Sequence, residues 1–254
     1  MGEKSNIEKP LHFGLIGKKL VHSFSKRYFT EKFKELQLQK HTYSNLEFDD
    51  ESALAAFLLD TVYNLRGFNI TIPYKETIIP YLDSLQGEAK EIQAVNTVLV
   101  KKGKLIGYNT DVHGFLESIK PLLSSHHKKA LILGSGGASK SIIFTLESLD
   151  IKCKLVSRKK KSSDAILYEE LTNEILSTHT IIVNCTPVGT FPNIEKAPAI
   201  PYQFLTKDHL VYDLVYNPKI TRFLAKAKNQ GASIQNGLLM LQLQADKAWE
   251  IWNS

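Results

Sequence analysis

Apolar and polar positions in the first hundred residues switch between two periods. HFGLI at 12–16 and the polar–apolar alternation around Tyr43 have the pattern of β-strands, whereas 25–37 and 51–60 repeat apolar residues at helical spacing. The alternation predicts α/β order. Strand-like runs at 97–100 and 104–106 flank Lys102-Gly103, a turn dipeptide, and predict a hairpin.

From Lys129 the pattern sharpens. ALIL, then GSGGASKSIIFTLESL, then KCKLVS reads as strand, glycine turn, helix and second strand, a βαβ unit. Further strand-like runs at 180–184, 209–215 and 232–234, with a helix-like stretch at 219–229, predict a parallel sheet. A boundary near residue 108 divides an α/β domain over 1–108 from a second domain over 109–236. Residues 238–252 have helical apolar spacing, and 237–254 is expected to return to the first domain. There is no internal repeat, and the only biased segment is the short basic run 158–161.

Composition narrows the class. With 254 residues, 43% hydrophobic and 23% charged, the chain can bury one or two cores, which excludes disordered and fibrous proteins. No apolar run reaches membrane-spanning length, and the first thirty residues lack the order of a signal peptide, so a soluble cytoplasmic protein is expected. Cys153 and Cys185 each lie in an apolar stretch and read as buried thiols rather than a disulfide or zinc site. The eight histidines show no ligand spacing, so no metal is expected, and His22 reads as shaping its loop. The net charge of +6 is scattered, which suits a basic surface attracting small anions better than a nucleic-acid interface.

Gly134-Ser135-Gly136-Gly137-Ala138-Ser139 follows an apolar strand and opens a helix. A dinucleotide pyrophosphate needs that arrangement, because it approaches the backbone closely and takes free N–H groups at a positive helix end. The plain alternative is a tight turn. NAD-selective sites carry an acidic residue at the end of the next strand, where this chain has Ser157-Arg158. A carboxylate repels a 2′-phosphate and a guanidinium pairs with it, so NADP is the expected cofactor. A solvated basic turn is the alternative here.

The other blocks carry a resemblance. Gly14-Leu15-Ile16-Gly17 with His22-Ser23-Phe24-Ser25, Asn69-Ile70-Thr71-Ile72-Pro73-Tyr74-Lys75, Ala94-Val95-Asn96-Thr97 and Gly107-Tyr108-Asn109-Thr110-Asp111 are similar, in order, to signatures of shikimate dehydrogenases. Asn184-Cys185-Thr186-Pro187-Val188-Gly189, Asp213-Leu214-Val215-Tyr216-Asn217-Pro218 and Gly237-Leu238-Leu239-Met240-Leu241 with Gln244 continue it. The resemblance implies an amino-terminal α/β substrate domain, a Rossmann-type NADP-binding domain and a carboxy-terminal helix returning to the first. It also implies reversible NADP-dependent reduction of 3-dehydroshikimate to shikimate. Departures are Lys19 and Lys26 in place of prolines, Phe29-Thr30 in place of His-Asn, and Ser157-Arg158-Lys159 where N-R-T is usual.

By the same resemblance, Ser23 and Ser25 bind the substrate carboxylate with Thr71 and Tyr216, while Asn69, Asn96 and Gln244 surround the ring hydroxyls. Lys75 and Asp111 are the implied catalytic pair. Gly134, Ser135, Gly136, Gly137, Ala138, Ser157, Arg158, Thr186 and Gly237 are the implied cofactor-side residues. Dehydrogenation needs a proton removed from a hydroxyl as hydride leaves its carbon, and a lysine desolvated at a strand end suits that role. Read locally, Ser and Asn also favour caps and turns, and Asp111 begins a helix as well as it serves a site. Two alternatives stay open: a quinate- or shikimate-directed enzyme using NAD or NADP, and a non-catalytic NADP-sensing module. The expected partners are small molecules, with no nucleic acid and no membrane, in a monomer or homodimer.

Overall fold

The computed structural model describes residues 9–21, 23–60, 62–159 and 165–254. They form two compact units, one running to Thr110 and including Ala248–Ser254, the other Asp111–Lys247. The sequence placed the boundary near residue 108 and the whole closing helix with the first part. In the structure that helix is shared, its last residues from Ala248 belonging to the first unit.

The first unit contains β1 (His12–Gly17), α1 (Phe24–Glu35), β2 (Thr42–Glu47), α2 (Glu51–Asp60), β3 (Gly67–Ile70), β4 (Ser84–Leu85), α3 (Ala89–Ile92), β5 (Thr97–Lys101) and β6 (Lys104–Tyr108). Its sheet runs β2-β1-β3-β5-β6-β4. β1 pairs in parallel with β2 and β3, and β5 is antiparallel to β3 and β6. β1 is apolar on both faces because it is central and covered on both sides. The hairpin turns through Lys102 and Gly103 at φ 52° and 71°, the left-handed pair that a two-residue connection requires.

One face of this sheet packs Ile16, Phe68, Ile70 and Val98 against Leu54 and Leu58 of α2. The other is aromatic. Phe33 of α1 meets Phe13 and, one turn back, Phe29, and Trp252 packs tilted against Phe13 and Phe29 with ring centroids 4.9 and 5.2 Å away. The Trp252 indole donates to the Val98 carbonyl at 2.9 Å. Gly67 is small because a Cβ there would enter the Trp252 ring.

The second unit contains α4 (Asp111–Ile119), β7 (Lys129–Leu133), α5 (Gly137–Glu147), β8 (Lys152–Ser157), β9 (Ile166–Leu167), α6 (Asn173–Thr178), β10 (Ile181–Asn184), β11 (Leu210–Asp213), α7 (Arg222–Asn229) and β12 (Ser233–Asn236), and α8 (Leu238–Trp252) begins in it. Its sheet is wholly parallel, in the order β12-β11-β10-β7-β8-β9. Counted within this unit, that is the doubly wound dinucleotide order 3-2-1-4-5-6 read from the other edge. Leu131 and Leu133 of β7 face one apolar cluster, and Ala130 and Ile132 face the other. Burial on both faces accounts for the uninterrupted apolar runs in the sequence. α7 begins later than expected, since Thr221 caps it by accepting from the Leu224 N–H at 3.3 Å. Among the described residues no helix is long and apolar enough to cross a membrane.

Candidate active site

In the first unit, the expected substrate-side residues gather at the carboxyl ends of β1 and β3 and the amino end of β5. Asn69, near the end of β3, is buried; its Oδ1 accepts from the Tyr43 hydroxyl at 2.7 Å. Its Nδ2 donates to the Asn96 carbonyl at 3.2 Å and to Thr97 Oγ1 at 3.0 Å. Asn96 Oδ1 in turn accepts from the Thr110 N–H at 2.7 Å, and its Nδ2 donates to Thr110 Oγ1 at 2.9 Å. Ser25 joins this network through Tyr43: burial pushes the Tyr43 hydroxyl well above its ordinary value, opposed by a hydrogen bond with Ser25. A closed network of amides and hydroxyls fixes side-chain orientation without charge, which suits a substrate bearing several hydroxyls.

Ser23 caps α1, its Oγ accepting from the Lys26 N–H at 3.3 Å. The capping alternative is therefore realised, but it uses only a lone pair and leaves the hydroxyl proton to donate. The Glu47 carboxylate accepts from the Leu20 N–H, and Asn45 Nδ2 donates to the Leu20 carbonyl at 3.0 Å, pinning the loop that leads to Ser23. A cleft of about 450 Å³ lies beside it, lined by Ser23, Lys26, Arg27, Thr30, Glu31 and Asn45. His22 lies outside the described residues. Thr71 donates its N–H to Ile16 at 2.8 Å and crowds Gly17, where a Cβ would meet Thr71 Cγ2 at 2.7 Å. Lys75 sits in the turns after β3, half-buried, and its carbonyl accepts from Val95 N–H at 2.7 Å. Sequence reasoning missed Tyr43, Thr97 and Thr110 as parts of the network. The two threonines lie inside the Ala94–Thr97 and Gly107–Asp111 motifs; Tyr43 carries only the signal of strand alternation.

In the second unit, the strand order reverses between β7 and β10, and ligands of open α/β sheets bind in the crevice outside that point. The loops leaving both strands meet there. Gly134 has φ 103°, and a Cβ on it would meet Thr186 Cγ2 at 2.7 Å. Gly136 caps α5 in extended backbone, and a Cβ there would meet nothing within 4 Å. Its smallness is thus not demanded by packing; it leaves room over the helix end, as a pyrophosphate requires. Ser135, Gly137 and Ala138 complete the turn into α5. Ser157, buried at the end of β8, donates to the Lys159 carbonyl at 2.6 Å, and Arg158 beside it is exposed. Lys160 and Lys161 lie outside the described residues.

Thr186 is positioned by Asn184, whose Oδ1 accepts from the Thr186 N–H at 3.0 Å and from its hydroxyl at 2.6 Å. Asn184 donates to buried Asp213 at 2.9 Å, and Asp213 also accepts from Thr221 Oγ1 at 2.6 Å and the Val215 N–H at 3.0 Å. Asp213 was passed over as a motif letter, yet it ties the ends of β10 and β11 together. Tyr216 follows it, half-buried. Gly237 has a packing reason of its own: a Cβ there would run into the Leu214 carbonyl. Asp111 opens α4, as its local reading allowed, and is buried. One turn on, a Cβ at Gly114 would meet Met240 O at 2.5 Å and Gln244 Cβ at 3.1 Å, so Asp111 and Gln244 ride on two helices in close contact. Lys75 belongs to the first unit and Asp111 to the second.

Burial pushes Asp213 up to about 6, restrained by the hydrogen bonds from Thr221, Val215 and Asn184. Its folded value lies above its ordinary value of 3.8, so between about pH 4 and 6 the folded chain holds a proton that the unfolded chain has released. Stability from this group is present at the acid end of that window and lost as pH rises through it, by about 3 kcal/mol in all. The unfolding free-energy difference between wild type and Asp213→Asn, which cannot titrate, should change by that amount between about pH 4 and 7. A pH-independent difference would remove this role.

Both cysteines are free; burial pushes the Cys153 thiol up to about 12 and the Cys185 thiol higher still, which leaves them unreactive. Among the described residues no three His, Cys, Asp or Glu side chains converge as metal ligands.

Residues 15–98 match the family model of the shikimate dehydrogenase substrate binding domain. The shikimate dehydrogenase (NADP(+)) of Carboxydothermus hydrogenoformans is 38% identical over 253 residues, covering 94% of this chain and 90% of its own length. The chain belongs to the shikimate dehydrogenase family. Among solved shikimate dehydrogenases, the Thermus thermophilus enzyme in complex with NADP(H) and shikimate superposes with a TM-score of 0.84 at 32% identity, covering 95% of this chain and 93% of its own. The Listeria monocytogenes enzyme in complex with shikimate and NAD gives 0.80 at 30% identity, covering 100% and 94%. These shikimate dehydrogenases share the doubly wound unit and the substrate-side unit alike.

Proposed function

We propose that this chain is an NADP-dependent oxidoreductase acting on a CH–OH group, which interconverts 3-dehydroshikimate and shikimate in aromatic amino acid (chorismate) biosynthesis. The observation that carries the reading is the buried network of Ser25, Tyr43, Asn69, Asn96 and Thr110 at the carboxyl edge of the first sheet. That neutral network fixes the orientation of the side chains beside it, as recognition of a polyhydroxylated ring requires, and it occurs in a chain of this family.

The first unit supplies Ser23 and Ser25 as hydroxyl donors to the substrate carboxylate, with Thr71, while Asn69 and Asn96 hold ring hydroxyls. The family resemblance assigns Tyr216 and Gln244 to the same tasks. Lys75 Nζ takes the proton of the reacting hydroxyl as its C–H bond breaks, and Asp111 holds a neighbouring hydroxyl. The open space at Gly136 and the glycine turn at Gly134 fit the dinucleotide pyrophosphate, with Thr186 beside it and Arg158 at the ribose end. The nicotinamide, when bound, accepts or returns the hydride. Serine and amide contacts exist in ground and transition state alike, so they set substrate affinity, whereas Lys75 acts on the chemical step.

The substrate half is tested by incubating the protein with shikimate and NADP⁺ and analysing the organic product. A conjugated ketone two hydrogens lighter than shikimate is expected; recovery of shikimate alone contradicts the reading. The cofactor half rests on Arg158. Arg158→Ala is expected to reduce the NADP-over-NAD preference in kcat/KM by about 1.5–3 kcal/mol, the range for hydrogen bonds to charged groups. An unchanged preference takes Arg158 out of the site.

A further inference from the structure

The register of the second sheet brings a second side chain to the place where Arg158 stands. β8 and β9 pair in parallel, with Val156 opposite Ile166 and Ser157 opposite Leu167. One step further along each strand are Arg158 and Tyr168, which therefore leave the sheet side by side at its carboxyl edge. Tyr168 is held there firmly. It opens a short turn, Tyr168–Glu170, fastened by the Glu170 carboxylate accepting from the Leu167 N–H at 2.6 Å.

The Tyr168 ring is half-buried and packs against the cluster containing Leu133, Val156 and Ile182, from β7, β8 and β10. Tyr168 also lies within electrostatic range of Cys185, the residue after β10, which sets the ring on the side of the outer strand that faces the strand-order reversal. Among the described residues its hydroxyl has no hydrogen-bond partner. Burial raises that hydroxyl above its ordinary value, and the nearby Arg158 guanidinium opposes the rise. At neutral pH Tyr168 is therefore a protonated donor next to a cation, with an apolar ring anchoring it.

We propose that Tyr168 is a further specificity-determining residue for the dinucleotide: its hydroxyl donates to the adenosine 2′-phosphate alongside Arg158, and its ring forms the apolar floor beneath the adenosine. This rests on the NADP reading above and deepens it. A guanidinium alone neutralises a phosphate from one side; a phenol fixed on the neighbouring strand adds a directional donor that an unphosphorylated ribose uses far less, because charge-assisted hydrogen bonds are the stronger ones. With the N-R-T pattern reduced here to Ser157-Arg158-Lys159 and the Ser157 hydroxyl engaged with the Lys159 carbonyl, a donor from β9 takes the place of one lost from β8.

Calorimetric titration of the intact protein with adenosine 2′,5′-bisphosphate and with 5′-AMP, which lacks the 2′-phosphate, separates the possibilities. Tyr168→Phe keeps the ring and removes only the hydroxyl, so its thermal unfolding should match wild type. It should bind the bisphosphate about tenfold more weakly with 5′-AMP affinity unchanged, while Tyr168→Ala should weaken both probes. If Tyr168→Phe binds the bisphosphate as wild type does while Arg158→Ala is impaired, the proposal is overturned and the NADP reading stands. Equal weakening of both probes in Tyr168→Phe also overturns it. If wild type itself does not prefer the bisphosphate to 5′-AMP, the NADP reading falls and takes this proposal with it.

Discussion

Lys75→Ala should lower kcat for shikimate oxidation by roughly 10²–10⁴-fold, the usual loss when a general base is removed. The Michaelis constant for shikimate should change far less, because the carboxylate and hydroxyl contacts are carried by other side chains. The fold should survive. Lys75 is half-buried in the turns after β3, and its carbonyl, bound by the Val95 N–H, is retained by alanine. Thermal unfolding and dinucleotide affinity are therefore expected to stay close to wild type, and rapid-mixing measurement of the hydride step should show where the loss falls. A folded Lys75→Ala protein with near-normal kcat would return Lys75 to the status of an ordinary strand-end lysine. The sequence suggested an enclosed, desolvated lysine, whereas the structure leaves Lys75 only half-buried.

The largest stability effect is expected at Trp252. Its side chain is fully buried, it touches Phe13 and Phe29, and its indole N–H adds a hydrogen bond to the Val98 carbonyl within the sheet. Trp252→Ala opens a cavity that Gly67, having no side chain, cannot help to fill, and it removes the indole hydrogen bond to Val98. Together these should cost about 3–5 kcal/mol in urea unfolding, the range for large aromatic truncations, with little change in the denaturant slope. Trp252→Phe retains most of the volume and should lose about 0.5–1.5 kcal/mol with the indole hydrogen bond, since the Val98 carbonyl keeps its ladder partner on Phe68. A loss below about 1 kcal/mol for the alanine variant would mean that the closing helix contributes little to the first unit.

Much of this architecture was legible in the chain. Long strands and helices announced themselves by period, and the Lys102-Gly103 hairpin by its turn residues, because those signals are local. Ser84–Leu85 and Ile166–Leu167 were not, since two residues cannot display a period; they are strands only because β6 and β8 offer them partners. The same division runs through the site. The glycine turn and Arg158 could be read because phosphate recognition imposes residue types at fixed spacing. Tyr43, Asp213 and Tyr168 could not, because each takes its place from contacts across strands: Tyr43 through Asn69, Asp213 through Asn184 and Thr221, Tyr168 through the β8–β9 register. Gly237 is instructive in the other direction. The resemblance put it among the cofactor-side residues, and the structure adds a packing constraint of its own, the Leu214 backbone pressed against it.

The central claim is that the chain oxidises shikimate with NADP. Its most direct test is the initial rate of reduced-nicotinamide appearance, followed by absorbance, with shikimate or quinate as substrate and NADP⁺ or NAD⁺ as acceptor. The highest kcat/KM is expected for shikimate with NADP⁺, by at least about tenfold over the pairing with NAD⁺, as the 2′-phosphate contacts require. Equal rates with both acceptors would contradict the cofactor assignment, faster oxidation of quinate would contradict the substrate, and no reduction in any of the four mixtures by a folded protein would contradict the enzyme reading itself.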